Sequence, residues 1–410
     1  MPTYDLLITN ATVRGREQPC TVAVAAGLIA AIDEADAEAA TVLDAAGQLL
    51  SPSFVDAHLH LDKVYTFERA GDAVLREYTG AGMGGAMTSI EMASRVKDDY
   101  AEDVILDNAR RAVLDGLRNG VTHVLAFADT DTAAGLEAVR ALIRLRDEVV
   151  DTVRVDVVAF PQDGLLRDPG AEQLVRHAMD LGADVVGGIP WIEHDDEAAR
   201  QHVDRMCRLA AEHGTRVAML TDDAGDDPGL RTTEMLARAA IDHGLEGRVV
   251  ACQARAIGSY PEPSFRRLLG LAREAGMSFV SNPHTGPRHL RAYDVHDAGI
   301  PVALGQDDVE DAYYPFGRHN LLEVAFLAAH LLGPPTLQRM DQLLDMVTTD
   351  AATVLGDEGH RLDVGAPADL VVLDGATSQQ ALIRHAPPRY VISRGRLVAE
   401  TAPQESRLIG

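Results

Sequence analysis

Two histidines separated by one residue, His58 and His60, are the sharpest chemical signal in the sequence. They lie in the segment SPSFVDAHLHLDK, residues 51–63, whose first part is an apolar run typical of a buried strand. Side chains alternate between the two faces of a strand, so residues two apart point the same way. Two imidazoles on one face at a strand end can hold one divalent metal ion. A purely structural pair of histidines is the alternative.

Aromatic residues suggest what such a centre would act on. Trp191 is the only tryptophan of the chain, and Tyr313 lies in the segment DAYYPFG. Both rings could stack on a flat ring of a substrate. Packing in the core is the alternative for each of them.

The elements that must position these residues form an alternating pattern. Short apolar runs alternate with segments whose apolar residues recur at helical spacing. The runs cover residues 53–58, 122–127, 153–160, 185–189, 216–220, 249–252, 277–280 and 301–304. The helical segments include residues 101–119, 133–149, 197–213 and 231–243. About eight strand–helix units predict an α/β fold, a distorted TIM (β/α)₈ barrel, whose active site lies where the strands end.

The two ends of the chain have a different character. The first 50 residues read as short strands over 4–13, over 21–32 with a break at Gly27, and over 42–50, and the last 50 return to strand–turn–strand patterns. We therefore expect residues 1–52 and 361–410 to form one small composite β-sandwich, and residues 53–360 to form the barrel. A doubly wound open sheet is less suitable, because no glycine-rich phosphate loop follows an early strand.

Charge and composition exclude several classes of partner. The net charge is −26, from 63 acidic and 37 basic residues, which would repel a phosphate backbone, so no nucleic acid is expected. No apolar run approaches the roughly 20 residues of a membrane helix, and the start of the chain lacks the pattern of a secretory signal. We expect a cytoplasmic homo-oligomer that binds a small-molecule substrate and no membrane.

Longer motifs carry a resemblance to a known family. The HxH pair and the tail LDVGAPADLVVLDG…YVISRGRLVAE resemble the amidohydrolase superfamily. The segments VVAFPQDGLL, GGIPWIE and ALGQDDVEDAYYPFG are similar to its cytosine deaminase-like branch, which includes ammelide and triazine aminohydrolases. The resemblance covers essentially the whole chain. It implies a barrel with a β-sandwich built from both ends, and one divalent metal, zinc or iron.

The resemblance also implies roles for individual residues. It makes His58, His60 and Asp307 the metal ligands, with His60 and Asp307 in the catalytic centre. Gln162 matches the amide that reads the edge of the heterocycle, and Asp308 matches the second aspartate of a pair. A further predicted substrate contact is Lys63, which could neutralise an anionic substrate or form a structural ion pair.

The sequence departs from the family pattern around strands five and six. Thr221 stands where the family has a metal-binding histidine, Ala224 where it has a catalytic glutamate, and Gln253 where it has the strand-six histidine. Phe127 replaces another histidine common in this branch. Alanine cannot carry the proton that cytosine deamination requires. We therefore expect no orthodox cytosine deamination, and Thr221 and Gln253 become predicted substrate contacts.

Other residues could compensate for the lost groups. Asp222 or Asp223 could point into the barrel mouth, and His194 and His284 follow strands four and seven. Loop or surface positions are the alternative for each. The segment GAGMGGAM, residues 80–87, reads as a lid.

Three functions stay open on the sequence. The first is a hydrolase acting on a C–N bond, other than a peptide bond, of a small planar nitrogen-containing ring or amide. The second is a metal-free member that catalyses cyclisation or elimination in the same pocket. The third is a catalytically dead binding protein, against which the retention of His58, His60, Asp307 and Gln162 argues.

Overall fold

An eight-stranded parallel sheet forms the centre of the chain, as seen in a computed structural model. The structure describes residues 4–34, 38–70, 97, 100–224, 227–286 and 288–402. The predicted lid, residues 80–87, lies outside the described residues. The sheet comprises β6 (Phe54–Leu59), β7 (Val121–Asp129), β8 (Arg154–Phe160), β9 (Val185–Gly188), β10 (Arg216–Thr221), β11 (Val249–Gln253), β12 (Ser278–Ser281) and β13 (Val302–Leu304), neighbours in that order.

Backbone hydrogen bonds bring the first and last strands of this sheet together. The His60 N–H donates to the Asp307 carbonyl at 2.8 Å, and the Asp307 N–H donates to the His58 carbonyl at 2.8 Å. The two chain segments that carry the predicted metal ligands are thus neighbours in the closed barrel. The predicted distorted (β/α)₈ barrel is confirmed.

Helices follow the strands on the outside of the barrel, and they are amphipathic where they pack on it. They are α1 (Phe67–Ala70), α2 (Glu102–Arg118), α3 (Glu137–Val149), α4 (Ala171–Leu181), α5 (Asp196–His213), α6 (Thr232–Asp242), α7 (Glu262–Glu274), α8 (Ala292–Asp297), α9 (Leu321–Leu331), α10 (Leu337–Asp345), α11 (Thr349–Val354) and α12 (Ser378–Arg384). Single 3₁₀ turns follow three of the strands, at Pro190–Ile192, Arg255–Ser259 and Pro283–Thr285.

Side chains that point into the barrel form an apolar core of their own. Phe127, Phe160, Leu220 and Val250 belong to this core, and Trp191 closes it at the strand ends. Strands buried on both faces explain why the sequence shows continuous apolar runs rather than alternation. The interior is therefore packed, and polar chemistry is confined to the barrel mouth.

Two four-stranded sheets lie outside the barrel. The first contains β1 (Tyr4–Ala11), β2 (Cys20–Ala25), β3 (Leu28–Ile32) and β4 (Ala39–Asp44), and the second contains β5 (Leu50–Pro52), β14 (Leu370–Val372), β15 (Tyr390–Ser393) and β16 (Arg396–Glu400). Leu6, Ile8 and Val22 from one sheet share a core with Leu370 and Ile392 from the other. The domain limits 1–52, 53–360 and 361–410 stay a prediction.

The strands at the start of the chain are shorter than their apolar patterns suggest. The predicted break of the run 21–32 at Gly27 is observed, because Gly27 has a φ of 79° and makes the turn between β2 and β3. Among the described residues, no helix combines the length and the apolar character needed to cross a membrane.

Candidate metal centre and substrate site

His58, His60 and Asp307 form one cluster at the mouth of the barrel. The Nε2 atoms of His58 and His60 lie 3.2 and 3.9 Å from Asp307 Oδ1. One potential ligand atom from each residue lies within 4.8 Å of the others, and all three residues are buried. His58 Nδ1 has no hydrogen-bond partner in the described structure, and His58 Nε2 faces the Asp307 carboxylate. Buried imidazole nitrogens that face one carboxylate oxygen fit a divalent metal ion.

The second oxygen of Asp307 is fixed by the neighbouring strand ends. Gln253 Nε2 and Thr285 Oγ1 donate to Oδ2 at 2.8 and 2.7 Å, which turns Oδ1 towards the imidazoles. Burial alone would raise the pKa of Asp307, but His58, His60 and Arg255 outweigh burial and hold that pKa well below its usual range. Asp307 is therefore a carboxylate at neutral pH.

His60 is held neutral, as a metal ligand must be. Burial lowers its pKa well below the ordinary value, and the charge of Lys63 lowers that pKa further. The Phe127 ring packs against both imidazoles, with ring centroids 4.1 Å from His58 and 5.4 Å from His60. The phenylalanine that replaces a family histidine thus forms an apolar wall behind the pair.

Lys63 joins the metal cluster to the predicted substrate amide. Its Nζ lies 3.4 Å from His60 Nδ1 and donates to Gln162 Oε1 at 3.3 Å and to Asp129 Oδ1 at 2.6 Å. Asp129 also pairs with Lys97 at 3.1 Å. The structure therefore brings Lys63 and Gln162 to the centre.

Trp191, Asp308 and Tyr313, three further predicted substrate contacts, differ in their surroundings. Trp191 is buried at the end of the barrel core, and its indole N–H has no partner in the described structure. Asp308 is buried, and burial, Asp307 and Asp311 raise its pKa well above the ordinary value. Tyr313 lies near other carboxylates as well, since burial and then Asp129, Asp163, Asp308 and Asp311 raise its pKa well above the ordinary value.

Thr221 and Gln253 lie side by side on β10 and β11, but their side chains have other partners. The Thr221 hydroxyl shares a 2.8 Å hydrogen bond with Thr233 of α6 and is fully buried. Gln253 contacts Asp307, as described above. Both predicted substrate contacts, Thr221 and Gln253, therefore already have a hydrogen-bond partner within the protein.

Family comparisons agree with this geometry. The sequence model of a protein family described as "Amidohydrolase family" matches residues 66–399 of this chain. The chain belongs to the amidohydrolase family. The N-isopropylammelide isopropyl amidohydrolase of Pseudomonas sp. (strain ADP) is 29% identical over 407 residues, which are 97% of this chain and 98% of that protein. The pterin deaminase of Rhizobium rhizogenes is 27% identical over 382 residues, 87% of this chain and 82% of that enzyme.

A solved structure extends the match to three dimensions. The crystal structure of 5-methylcytosine deaminase from Klebsiella pneumoniae liganded with 5-fluorocytosine superposes with a TM-score of 0.90 at 29% identity, covering 98% of this chain and 99% of that one. The predicted cytosine deaminase-like branch is confirmed, and so is the hydrolase class acting on carbon–nitrogen bonds.

An ion pair occupies the part of the amidohydrolase mouth where the family residues are lost. Arg255 Nε lies 2.7 Å from Asp223 Oδ1, and its guanidinium donates to Gln253 at 3.1 Å and to Thr285 at 2.7 Å. Burial raises the pKa of Asp223 to about 6, although Arg255 opposes that shift. Sequence reasoning missed Arg255 and Thr285. The position of Arg255, two residues beyond the family's strand-six histidine, was the available signal.

Three of the residues considered as replacements have other positions. Asp222 does not point into the mouth as a free acid, because it accepts hydrogen bonds from Thr232 and Thr233 at the start of α6 and from Tyr260. His284 Nε2 lies 3.1 Å from the carbonyl of Gln306, and burial lowers the pKa of His284. His194 is exposed on a loop.

Proposed function

We propose that this amidohydrolase uses one divalent metal ion, zinc or iron, to hydrolyse a carbon–nitrogen bond of a small planar nitrogen heterocycle. The observation that carries the proposal is the convergence of His58, His60 and Asp307 beside the Lys63–Gln162 pair. The relatives support this substrate class, because the N-isopropylammelide, pterin and 5-methylcytosine that they are named for are all flat nitrogen-containing rings.

His58, His60 and Asp307 would hold the metal ion. Two imidazoles and a carboxylate are a ligand set that several divalent ions accept, with positions left open for small molecules. Such an ion would supply Lewis acidity towards water and substrate. Asp307 keeps its negative charge at neutral pH, and His60 stays neutral, so both are in the protonation state that a ligand requires.

Lys63 and Gln162 would read the edge of the ring. Because Gln162 Oε1 accepts from Lys63, the amide nitrogen is the group that Gln162 can offer to a ring carbonyl or ring nitrogen. Trp191 would lie against the ring face, where its unpartnered indole N–H could bond a substituent. Both roles need only side chains that the structure already places in the mouth.

The mouth does not offer the acid of cytosine deamination at its usual place. Ala224 is buried among apolar residues, and the neighbouring Asp223 is paired with Arg255. A carboxylic acid that protonates ring and leaving group is a requirement of that reaction. We therefore propose a different route of C–N hydrolysis and expect no cytosine turnover on the order of 1 per second or faster.

Two measurements on the purified chain test the proposal. Elemental analysis of protein prepared without added metal should find about one zinc or iron per chain. Release of ammonia or amine from a panel of triazines, pterins and pyrimidinones should occur with at least one ring and stop after chelation. Turnover that persists after the metal is removed would instead support the alternative, a metal-free cyclisation or elimination. Absence of turnover with every ring, together with ring binding, would support a binding protein.

A further inference from the structure

The carboxylate of Glu193 is enclosed between two loops that lead to the substrate site. Its side chain is fully buried. Oε1 accepts hydrogen bonds from the backbone N–H groups of Leu165 and Leu166 at 2.6 and 3.1 Å, and Oε2 accepts from the N–H of Arg167 at 3.1 Å. Three successive N–H groups that converge on one anion form a backbone nest. The loop that forms this nest follows β8 and contains Gln162.

A second bond connects the same carboxylate to the turn that carries Trp191. His202 of α5 accepts from the backbone N–H of Ile189 through Nε2 at 3.2 Å. Its Nδ1 must then carry the proton, and it donates to Glu193 Oε1 at 2.8 Å. Ile189 immediately precedes the turn Pro190–Ile192. The Glu193 carboxylate therefore bonds to the Gln162 loop directly and to the Trp191 turn through His202. The backbone of Glu193 follows that turn, and its N–H donates to the Pro190 carbonyl at 3.3 Å.

Two glycines keep the space that this arrangement needs. A Cβ on Gly188 would lie 2.9 Å from His202 Nε2, and a Cβ on Gly164 would lie 3.2 Å from Glu193 Oε1. Gly164 also has a φ of 92°, which other residues rarely adopt. The motif GGIPWIE thus combines Trp191, Glu193 and the glycine that leaves room for His202.

We infer that Glu193 is a positioning residue that holds the Gln162 loop and the Trp191 turn in fixed relation to each other across the mouth of the site. This inference rests on the proposed function in taking Gln162 and Trp191 as substrate contacts. Glu193 itself does not contact the substrate, since four donors surround its buried carboxylate. Burial opposes its charge, but His202 and the loop N–H groups lower its pKa, so the nest keeps an anion.

Hydrogen exchange tests the inference without any substrate. Glu193→Gln keeps the shape of the side chain but turns one acceptor into an N–H donor that faces other donors. We expect the amides of Leu165, Leu166 and Arg167 to exchange about 10-fold faster or more, as expected when one charge-assisted hydrogen bond is lost. With an active ring substrate, KM should rise by about the same factor while kcat changes less than about threefold, because uniform binding is lost. Metal content should not change.

Asp195→Asn is the matched control, because Asp195 lies two residues away and caps α5 by accepting from Ala198 N–H at 2.8 Å. Among the described residues its carboxylate makes no hydrogen bond to residues 165–167, so exchange at residues 165–167 should match the parent. Glu193→Asp keeps the charge at a shorter reach and should give a smaller increase, which keeps the test available if Glu193→Gln does not fold. Equal exchange at residues 165–167 in the parent and both Glu193 variants would overturn the inference. A failure to turn over any ring would contradict only the proposed function, since the exchange result does not depend on it.

Discussion

The two halves of the barrel mouth use polar residues in opposite ways. On the side of β6, His58 Nδ1 is buried without a hydrogen-bond partner in the described structure, and His58 Nε2 faces Asp307 Oδ1 at 3.2 Å. On the side of β10 and β11, polar groups pair with each other, as in Thr221 with Thr233 and Arg255 with Asp223. Unpaired buried polar atoms are costly unless a ligand satisfies them. The β6 side therefore fits the proposed metal ion, whereas the polar groups named on the other side already satisfy one another.

On the β11 side, the residues that stand near the expected positions of the family's histidine and glutamate form hydrogen bonds around Asp307. Gln253 and Thr285 both direct their donors at Oδ2 of Asp307, and Arg255 bonds to both of them. In the proposed metal centre these residues would orient the carboxylate of Asp307 instead of binding the metal ion themselves. Partners of metal-binding side chains commonly change metal affinity 10–100-fold. The β11 side should thus affect the metal site through the position of Asp307.

The largest effect is expected at the centre of the β6 side. Asp307→Asn removes the only carboxylate of the cluster and should lower metal affinity by more than about 100-fold, beyond the range for outer partners. Competition with a chromogenic chelator measures this loss. Asp156→Asn is the control, because Asp156 is also paired with a buried histidine, His123 at 2.9 Å, but near the opposite strand ends. Equal metal affinity in Asp307→Asn and the parent would rule out the cluster as the metal site.

Restoring the family residues should give the β10 and β11 side of the mouth metal-binding side chains like those of the β6 side. The triple change Thr221→His, Ala224→Glu and Gln253→His adds one imidazole at the strand-five position and one at the strand-six position. We expect zinc affinity to rise about 10-fold or more, since an added ligand replaces an open position. Native turnover should fall, because Asp307 loses its donor from Gln253.

Thr221→Val controls for this rearrangement, as it removes the bond to Thr233 without adding a ligand. Chelator competition on both variants gives the comparison. If the triple variant binds zinc no better than Thr221→Val, the mouth has changed in backbone position as well as in side chains.

A smaller effect is expected when only the orientation of Asp307 is disturbed. Thr285→Val removes one of the two donors to Oδ2 and should lower metal affinity about 10-fold, the low end for such partners. Thr233→Val is matched to it in size and burial but touches Thr221 instead. Chelator competition should separate the two variants, and identical affinities would mean that Thr285 does not orient the ligand.

The smallest effect is expected outside both halves, at the partly exposed pair of His296 and Asp350. Their side chains are 3.0 Å apart, and the hydrogen bond from His296 to Asp350 raises the pKa of His296. A raised histidine pKa stabilises the fold below about pH 6.5, and this stability is lost as pH rises through the folded value.

Asp350→Asn should therefore lower the free energy of unfolding by no more than about 0.5 kcal/mol more at pH 5.5 than at pH 9, because exposed pairs contribute little. Urea unfolding at the two pH values measures the difference. An equal loss at both pH values would show that the pair contributes no pH-dependent stability.

Local sequence patterns were sufficient for the barrel and for the histidine pair of its site. The apolar runs indicated strands buried on both faces, and the spacing of His58 and His60 indicated a metal site at the end of the first barrel strand. The resemblance supplied Asp307 and Gln162. These predictions succeeded because strand period and strand order determine where a strand ends, and residues at neighbouring strand ends must be close.

Only the tertiary structure decided which polar groups satisfy one another. The sequence allowed Asp222 or Asp223 to enter the mouth, but the N-terminus of α6 takes the first, and Arg255 takes the second. The sequence showed Glu193 only as the last residue of the motif GGIPWIE and assigned it no role, although it bonds Leu165 from 28 residues away. Pairings of this kind depend on distances and angles between distant chain segments, because a buried polar group takes whichever partner the packed backbone brings within hydrogen-bonding reach.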